Sequence, residues 1–436
     1  MTAPNGAILF NSSTGSDTTA SGLGAANVYG SGASTTGSSA VVTGIDTTGV
    51  SSGDLLWVQS SSGRQFSIIA TVDSSTQVTC DDTFANTESG RTWAIGGKRA
   101  TFDNADSRRI FNDDSAAGFV IETETDQSIS SVIEITREAT VRGAGETQRT
   151  VTQTANARSF QVRNGDTYQF QHLKLDNTNA SKTNAIGIAI ETGNPYVFAY
   201  KCVFGDATNQ LQNAIARVNN TPAARLKYCV VQNCTSDGVV VTFMNNRFVI
   251  DSCLIINNGR HGIYSDVQGF GSVINSIIAN NTTHGFYSDH DGTTVGLSGN
   301  IFYGNGDHAI NVNYMREGLC SANLFVANTG YGINIRSAHG SDIPTGNAFF
   351  NNTSGQINGL TGIDSITLTA DPFVDPTASP PDFNLNSDAG GGSTLRANNF
   401  ALNTDTSIYP FRQYVSDDFD SGAGGGGATV HPLRSN

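Results

Sequence analysis

The chain has 436 residues, of which 37% are hydrophobic and 14% are charged, with 48 glycines and a net charge of −14. This composition is typical of many short strands and turns rather than of helices. The negative charge argues against a protein that grips nucleic acid by bulk electrostatics. The first residues lack a basic region followed by a long apolar stretch, so we expect neither a signal peptide nor a membrane span.

The N-terminal third divides into three predicted parts. Residues 1–40 are rich in Ser, Thr, Gly and Ala, which predicts a flexible N-terminal arm. Residues 41–100 contain short apolar runs separated by turn residues, which indicates a small antiparallel β domain. From residue 101 onward short strands alternate with turns and become steadily more regular.

An internal repeat runs through residues 224–358. An asparagine recurs at intervals of 24, 23, 25, 23 and 23 residues, and a small residue about five positions later keeps nearly the same period. The recurring asparagines are Asn233, Asn257, Asn280, Asn305, Asn328 and Asn351. A fixed period of this size is the signature of a repeat architecture, in which each unit needs stacked neighbours to bury its apolar face.

Each unit contains three short β-branched or aromatic runs joined by turns, which excludes a helical repeat. We therefore predict an all-β fold: a right-handed single-stranded parallel β-helix with three short strands per coil, over residues 101–385. Some ten coils give a rod about 50 Å long. Leu254, Ile277, Phe302 and Phe325, or their immediate neighbours, are expected to point inward.

The asparagine column has a structural interpretation. Asparagine tolerates the left-handed conformation of a tight turn, and stacked asparagines can also bond to one another from coil to coil. Cys202, Cys229 and Cys253 hold equivalent positions in successive coils and are expected to form a column of small buried side chains.

Residues 386–436 are predicted to form a C-terminal extension or arm. Its glycine-rich stretches cannot build a core, but an apolar and aromatic cluster lies between them. Aromatic and Arg side chains are frequent anchors of interfaces, so the extension offers candidate interaction residues. These are Ile408, Tyr409, Phe411, Tyr414, Phe419, Leu433 and Arg434.

Several segments resemble a known superfamily. The coils, the segment Ala139-Thr-Val-Arg-Gly-Ala-Gly and the segment Ala370-Asp-Pro-Phe-Val-Asp-Pro are similar to right-handed parallel β-helix proteins, which include pectate-lyase-like enzymes and phage tailspikes. Residues 10–17 and 93–100 resemble segments of phage virion proteins. The calcium-binding Asp cluster and catalytic Arg or Lys of the family's lyases have no residue-by-residue match here.

Two columns of polar residues are candidates for chemistry. Asp266 and Asp289 recur one coil apart, with Asp291 nearby, at about the spacing of a retaining glycosidase pair. The alternative is that these carboxylates face solvent at turns. His261, His284 and His308 invite a metal interpretation, but the alternative is imidazoles stacked along the rod. We predict no catalytic residue, metal or cofactor.

Two functions remain open. The first is a structural virion protein, a capsid decoration or cement protein at the capsid surface. It would assemble as a homotrimer and bind the major capsid protein or another virion protein through its terminal arms, without nucleic acid or membrane partners. The trimer is implied by the resemblance. The alternative is a tailspike-like or tail-fibre-like protein that binds or cleaves host surface polysaccharide.

Overall fold

The structure is a computed structural model that describes part of the chain. It describes residues 7–400 except 18–19, 21–25, 62, 105–118, 137, 165, 192, 194, 218–222, 243–246, 267–269, 291–293, 314–319, 338–343, 379–380 and 399. The predicted all-β fold is confirmed: a parallel β-helix follows a small antiparallel domain.

The N-terminal strands form a closed barrel and one strand outside it. The strands are β1 (Ala7–Phe10), β2 (Asn27–Thr35), β3 (Ser39–Thr43), β4 (Leu55–Ser60), β5 (Gly63–Ser74), β6 (Gln77–Phe84) and β7 (Glu88–Gly96). The barrel closes in the order β2-β3-β6-β5-β4-β7, with every pair antiparallel.

The coils are built from thirty further strands. They are β8 (Phe119–Thr123), β9 (Gln127–Ile129), β10 (Ile133–Ile135), β11 (Ala139–Gly143), β12 (Arg149–Gln153), β13 (Phe160–Val162), β14 (Thr167–Gln171), β15 (Leu173–Asn177), β16 (Ile186–Ile190), β17 (Tyr196–Tyr200), β18 (Val203–Phe204), β19 (Asn213–Arg217), β20 (Ala223–Lys227), β21 (Val230–Gln232), β22 (Val239–Thr242), β23 (Arg247–Asp251), β24 (Leu254–Ile256), β25 (Ile263–Asp266), β26 (Phe270–Ile274), β27 (Ile277–Ala279), β28 (Phe286–Ser288), β29 (Thr294–Ser298), β30 (Ile301–Tyr303), β31 (Ile310–Val312), β32 (Cys320–Ser321), β33 (Leu324–Val326), β34 (Tyr331–Ile335), β35 (Ala348–Phe350), β36 (Gly355–Asn358) and β37 (Ile366–Thr367).

These strands stack into three parallel sheets along the rod. Sheet A has the order β1-β8-β11-β14-β17-β20-β23-β26-β29-β32. Sheet B has the order β10-β13-β16-β19-β22-β25-β28-β31-β34-β36. Sheet C has the order β37-β35-β33-β30-β27-β24-β21-β18-β15-β12-β9. Since β1 pairs in parallel with β8, the first described residues extend the rod by one strand.

The C-terminal part folds back over the outside of sheet C. The hairpin β38 (Phe373–Asp375) and β39 (Asp382–Leu385) and the short helix α1 (Gly392–Ala397) carry buried apolar side chains that pack on this sheet. Residues 366–400 are called the closing segment below. No helix in the described residues is long and apolar enough to cross a membrane.

Sheet C is buried on both faces, which refines the predicted inward set. Phe302 and Phe325 point into the rod and stack at 5.3 Å between ring centroids. In the preceding coils the inward residues are Ile255 and Ile278 rather than Leu254 and Ile277. Leu254 and Ile277 point outward into a second apolar cluster, to which the closing segment contributes.

The predicted single asparagine column divides into two adjacent columns. The first holds the left-handed turn, with φ of 54° at Asn233, 56° at Asn257, 52° at Asn280 and 50° at Asn351. Asn305 and Asn328 belong instead to the next position, a buried ladder of side-chain hydrogen bonds. The 25-residue interval between Asn280 and Asn305 marks this change of column.

The buried ladder joins successive coils along the rod. Asn281 Nδ2 donates to Asn305 Oδ1 at 2.9 Å, and Asn305 Nδ2 donates to Asn328 Oδ1 at 2.9 Å. A second ladder, which the sequence analysis missed, starts at Ser276 and continues through Asn300 and Asn323 to Asn347. Both interpretations of the asparagines therefore hold, each for a different column.

The cysteine column is confirmed. Cys202, Cys229 and Cys253 are fully buried free thiols. Burial raises the pKa of the Cys202 and Cys229 thiols well above the ordinary value, so both stay protonated.

The predicted domain boundaries differ from the structure at both ends. Residues 1–40 are not one arm: β1 extends the rod and β2 is a barrel strand, so the barrel spans 27–96 rather than 41–100. The β-helix predicted for 101–385 has its last coil strand at Ile366–Thr367, and the rest of the closing segment packs outside the coils. The predicted extension begins within that packed segment, since Leu395 is fully buried.

Candidate functional site

The outer face of sheet B carries a stack of aromatic rings, here called the histidine–tyrosine column. It consists of His261, His284, His308, Tyr264 and Tyr287. Alternate residues of a strand face opposite sides, so Tyr264 and Tyr287 point outward beside the inward Ile263 and Phe286. His261, His284 and His308 lie at the turns that precede β25, β28 and β31.

The histidine rings are parallel and closely spaced. Ring centroids lie 5.0 Å apart between His261 and His284 and 5.4 Å apart between His284 and His308, with interplanar angles of 3° and 4°. Tyr287 stacks on His261 at 4.6 Å. The stacking interpretation of the histidines is thus confirmed. The lone pairs of parallel rings lie in parallel planes, so they do not converge on one metal ion.

Hydrogen bonds fix the ring tautomers. His261 Nδ1 accepts from the backbone N–H of His284 at 3.4 Å and lies 2.7 Å from Thr283 Oγ1. His308 Nδ1 accepts from the backbone N–H of Tyr331 at 2.8 Å. At the other ring edge, Asn311 Nδ2 donates to His284 Nε2 at 2.9 Å. His284 therefore carries its proton on Nδ1, the atom that lies 3.8 Å from Asp307 Oδ2.

Burial keeps these rings neutral. Desolvation lowers the pKa of His261 to about 3, helped by the neighbouring His284. It lowers the pKa of His284 to about 4 against the opposing effect of Asp307. It also lowers the pKa of His308. At neutral pH the column is an uncharged stack, which permits rings to lie face to face without charge repulsion.

Two arginines cover the tyrosines. The Arg260 guanidinium lies 5.1 Å from the Tyr264 ring centroid and forms a two-point ion pair with the buried carboxylate of Asp237. The Arg336 guanidinium lies 5.2 Å from the Tyr287 centroid, and its Nη1 is 2.9 Å from Asp289 Oδ1. The outward ring faces are therefore occupied by the protein's own cations.

The three candidate carboxylates differ in what the structure describes. Asp289 follows β28, is exposed and is paired with Arg336. Asp266 is the last residue of β25, and its backbone pairs with Thr242 of β22. The side chain of Asp266 lies outside the described part of the structure. Asp291 lies outside the described residues. The structure therefore gives no geometry for a two-carboxylate site at these positions.

A second surface lies on the outer face of sheet A and is called the aromatic–cationic face. It contains Tyr196, Phe198, Tyr200, Tyr228, Lys201, Arg225 and Lys227. Tyr196 is 39% exposed. Arg225 is the register partner of Phe198, and Lys227 is the partner of Tyr200, so rings and cations sit side by side. The alternation in Tyr196-Val-Phe-Ala-Tyr was the available sequence signal.

A third cluster is ionic and lies on the outer side of sheet C. Lys174 Nζ is 2.5 Å from Asp206 Oδ2 and 3.5 Å from Asp176 Oδ2. Burial raises the pKa of Asp176, which is 1% exposed. Burial also acts to raise the pKa of Asp206, but hydrogen bonds from the Asn209 N–H and from Lys174 outweigh it and lower that pKa. No regular spacing marks this cluster in the sequence, since the coils there are irregular.

All of the predicted interaction residues lie outside the described part of the chain. These are Ile408, Tyr409, Phe411, Tyr414, Phe419, Leu433 and Arg434. Within the described residues, no group of three or more His, Cys, Asp or Glu side chains is arranged to hold a metal ion.

Comparisons with known proteins support the fold. A sequence-family model described as "Right handed beta helix region" matches residues 162–319 and 215–369, together just under half of the chain. No curated protein matches the chain.

Two solved structures are similar in part. ORF18 of Geobacillus virus E2 has 13% sequence identity and a TM-score of 0.36, covering 60% of this chain and 56% of that one. The tailspike protein gp49 from Pseudomonas phage LKA1 has 12% identity and a TM-score of 0.23, covering 85% of this chain and 67% of that one. The chain thus spans little more than half the length of the Geobacillus virus protein. The family match and the three stacked sheets agree over the same residues: this part of the chain is a right-handed parallel β-helix.

Proposed function

We propose that this protein is a structural component of a phage virion, a decoration or cement protein at the capsid surface. In this proposal the β-helix is a rigid rod without catalytic activity. The homotrimer and the attachment through the terminal arms, to the major capsid protein or another virion protein, are parts of the same proposal. The resemblance of residues 10–17 and 93–100 to phage virion proteins supports the phage assignment.

The observation that carries the proposal is the arrangement around Asp289. Retaining hydrolysis of a glycan uses one carboxylic acid and one free carboxylate about 5–5.5 Å apart. Asp289 is instead exposed and held by the Arg336 guanidinium, which itself lies on Tyr287. The Arg336 guanidinium occupies one oxygen of the Asp289 carboxylate. The side chains of this surface are therefore engaged with one another.

The junction of barrel and rod gives further support. Trp57 and Phe66 of the barrel share one buried core with Ile8 and Phe10 of the rod. Arg99 is fully buried at this junction, and its Nη1 donates to Ala20 O at 3.1 Å. A rod fused to its end domain through a continuous core is suited to a mechanical, load-sharing role.

A loading experiment tests the proposal. Purified full-length protein is mixed with particles that lack it, and the amount that sediments with the particles is measured. We expect saturable binding, and we expect no oligosaccharide release from host capsular or cell-wall glycans. Glycan release that is lost in Asp289→Asn but kept in Asp81→Asn, an exposed barrel carboxylate, would contradict the structural assignment.

The tailspike-like alternative is favoured by one observation. The aromatic–cationic face presents an exposed Tyr196 beside Phe198 and Tyr200 on one strand, and such rings suit a ligand with an apolar face. Under this alternative the protein binds host surface polysaccharide and does not bind to the capsid surface of particles that lack it. Binding of acidic or neutral host glycan that is weakened by Tyr196→Ala would support it.

A further inference from the structure

The aromatic–cationic face presents fixed positive charges rather than free rings. Lys201 Nζ lies 5.3 Å from the Tyr200 ring centroid, Arg225 Cζ lies 5.7 Å from the Phe198 centroid, and Lys227 Nζ lies 5.0 Å from the Tyr228 centroid. Cations held over ring faces have fewer conformations to lose when they bind an anion. The face therefore favours carboxylates over a stacked neutral ring.

This positive face stands out in an acidic chain. The whole sequence has 24 Lys and Arg against 38 Asp and Glu. Within the described residues, the carboxylate at ion-pair distance from these cations is that of Asp251, with an oxygen 3.7 Å from Lys227 and 3.9 Å from Arg225. No described carboxylate pairs with Lys201. Three cations against one carboxylate leave the face with excess positive charge.

We propose that the acidic segment Ser416–Asp420 of this chain docks on the aromatic–cationic face. This segment, Ser-Asp-Asp-Phe-Asp, holds three carboxylates around one aromatic residue and lies outside the described residues. Arg225 and Lys227 are alternate residues of β20, about 6.8 Å apart. Asp418 and Asp420 of an extended peptide have the same spacing, so both pairs can form together.

The chain is long enough to reach the face. The last described residue, Phe400, is buried with the closing segment on sheet C. Residues 401–415 span up to about 50 Å when extended, comparable to the length of the rod. The segment can therefore come from the same chain or from a neighbouring copy.

Docking would define how the end of the chain projects. Residues 421–427 are glycine-rich and directly follow the acidic segment in the sequence, so we expect them to act as a hinge. Fixing the start of the hinge to the rod lets residues 428–436 explore a small volume around one point, which raises their effective concentration at a nearby partner. This consequence rests on the proposed attachment through the arms; the docking itself does not.

Zero-length carbodiimide cross-linking of the full-length protein tests the docking. The reagent activates a carboxylate, the lysine amine attacks it, and an amide forms as the reagent leaves as a urea. We expect amides that join Lys201 or Lys227 to residues 417–420, identified by peptide mass spectrometry. The Lys98–Glu124 pair, with Nζ 2.7 Å from Oε2, is the internal control.

The matched variant is Arg225→Glu, which removes a proposed contact but leaves every reacting lysine and aspartate in place. We expect it to abolish the amide between face and tail while the Lys98–Glu124 amide forms as before. A mixture of isotope-labelled and unlabelled chains separates the two sources, since hybrid amides arise only from neighbouring copies.

Three outcomes would overturn the proposal. The tail amide does not form although the control amide does. The tail amide forms equally in Arg225→Glu, which would mean unspecific collision. In a separate lysine-acetylation experiment, an added acidic host glycan protects Lys201 and Lys227 whereas the tail does not. That result would assign the face to the tailspike-like alternative.

Discussion

At the scale of single residues, adjacent coils are joined by buried asparagines. Asn305 is fully buried, and its amide both donates to Asn328 and accepts from Asn281. A buried amide that loses its hydrogen-bond partner still carries the cost of desolvation. Each asparagine within the ladder therefore satisfies a polar group on each of its two neighbours. In other coils the asparagine one position earlier, such as Asn257 or Asn280, instead forms the backbone turn at a positive φ; Gly304 holds that position in the coil of Asn305.

Replacing Asn305 with Ala is expected to destabilise the protein by about 1–3 kcal/mol, because Asn281 and Asn328 lose hydrogen bonds in a dry environment. Urea denaturation measures this loss. The matched control is Asn257→Ala, at the exposed turn position where Ala327 already adopts φ of 55°. Equal losses in both variants would contradict the division into two columns.

The histidine–tyrosine column predicts how stability depends on pH. In the unfolded chain a histidine takes up a proton near pH 6.5, while the folded pKa values are about 3 for His261 and about 4 for His284. The unfolded state thus binds more protons between these values. Stability is full above pH 6.5 and falls as pH decreases toward 4, by roughly 1.4 kcal/mol per pH unit for each histidine.

Denaturation midpoints between pH 4 and 8 test this dependence. The double variant His261→Gln/His284→Gln should flatten the decline below pH 6.5. An unchanged slope in the double variant would show that other groups cause the acid sensitivity.

At the scale of the elements, sheet C explains both a success and a failure of sequence reasoning. The period, the strand class and the parallel stacking follow from the repeat, because each coil must place similar residues at similar positions. The run Leu254-Ile-Ile reads as three apolar residues in either register, so it cannot reveal which residue faces inward. The covering closing segment, distant in sequence, decides it.

The N-terminal elements were missed for a different reason. Residues 1–40 are too polar to predict a packed unit. Ile8 and Phe10 become buried because β1 pairs with β8, a strand of the rod that lies more than a hundred positions later in the sequence. Such pairing leaves no local signal. The aromatic–cationic face was predictable only in part: the alternation Tyr196-Val-Phe-Ala-Tyr is visible within one strand, but the partners Arg225 and Lys227 lie in the next coil.

The closing segment predicts a local loss of packing. Phe383 is 1% exposed and meets Tyr303 and Phe373 edge to face at 5.5 and 5.2 Å between centroids. Phe383→Ala should cost about 3–5 kcal/mol of local stability. Limited proteolysis should then cut residues 366–400 faster while circular dichroism reports intact coils. Val374→Ala, at a 56% exposed position of the same hairpin, should behave as wild type.

At the scale of the whole molecule, the barrel and the rod share a core and so should unfold together. Both tryptophans, Trp57 and Trp93, lie in the barrel, so their fluorescence reports on the barrel and, through Trp57, on its junction with the rod. In the wild type we expect tryptophan fluorescence and circular dichroism to change in one transition. Arg99→Ala removes a fully buried side chain at the junction, so fluorescence should change first.

Lys98→Ala provides the control for this junction. Lys98 is adjacent in sequence and pairs with Glu124 at a half-exposed site, where an ion pair contributes about 0–1 kcal/mol. The two signals should stay together in this variant. Separate transitions in the wild type would contradict a mechanically continuous rod and barrel.

The proposal of a structural virion protein is tested most directly by where the rod lies on the particle. Electron cryomicroscopy of the native particle, compared with particles that lack this protein, would reveal density of the rod's dimensions, about 50 Å long. The proposed capsid decoration predicts such rods in groups of three over the capsid surface. Density confined to the tail, with none on the capsid, would contradict it and favour the tailspike-like alternative.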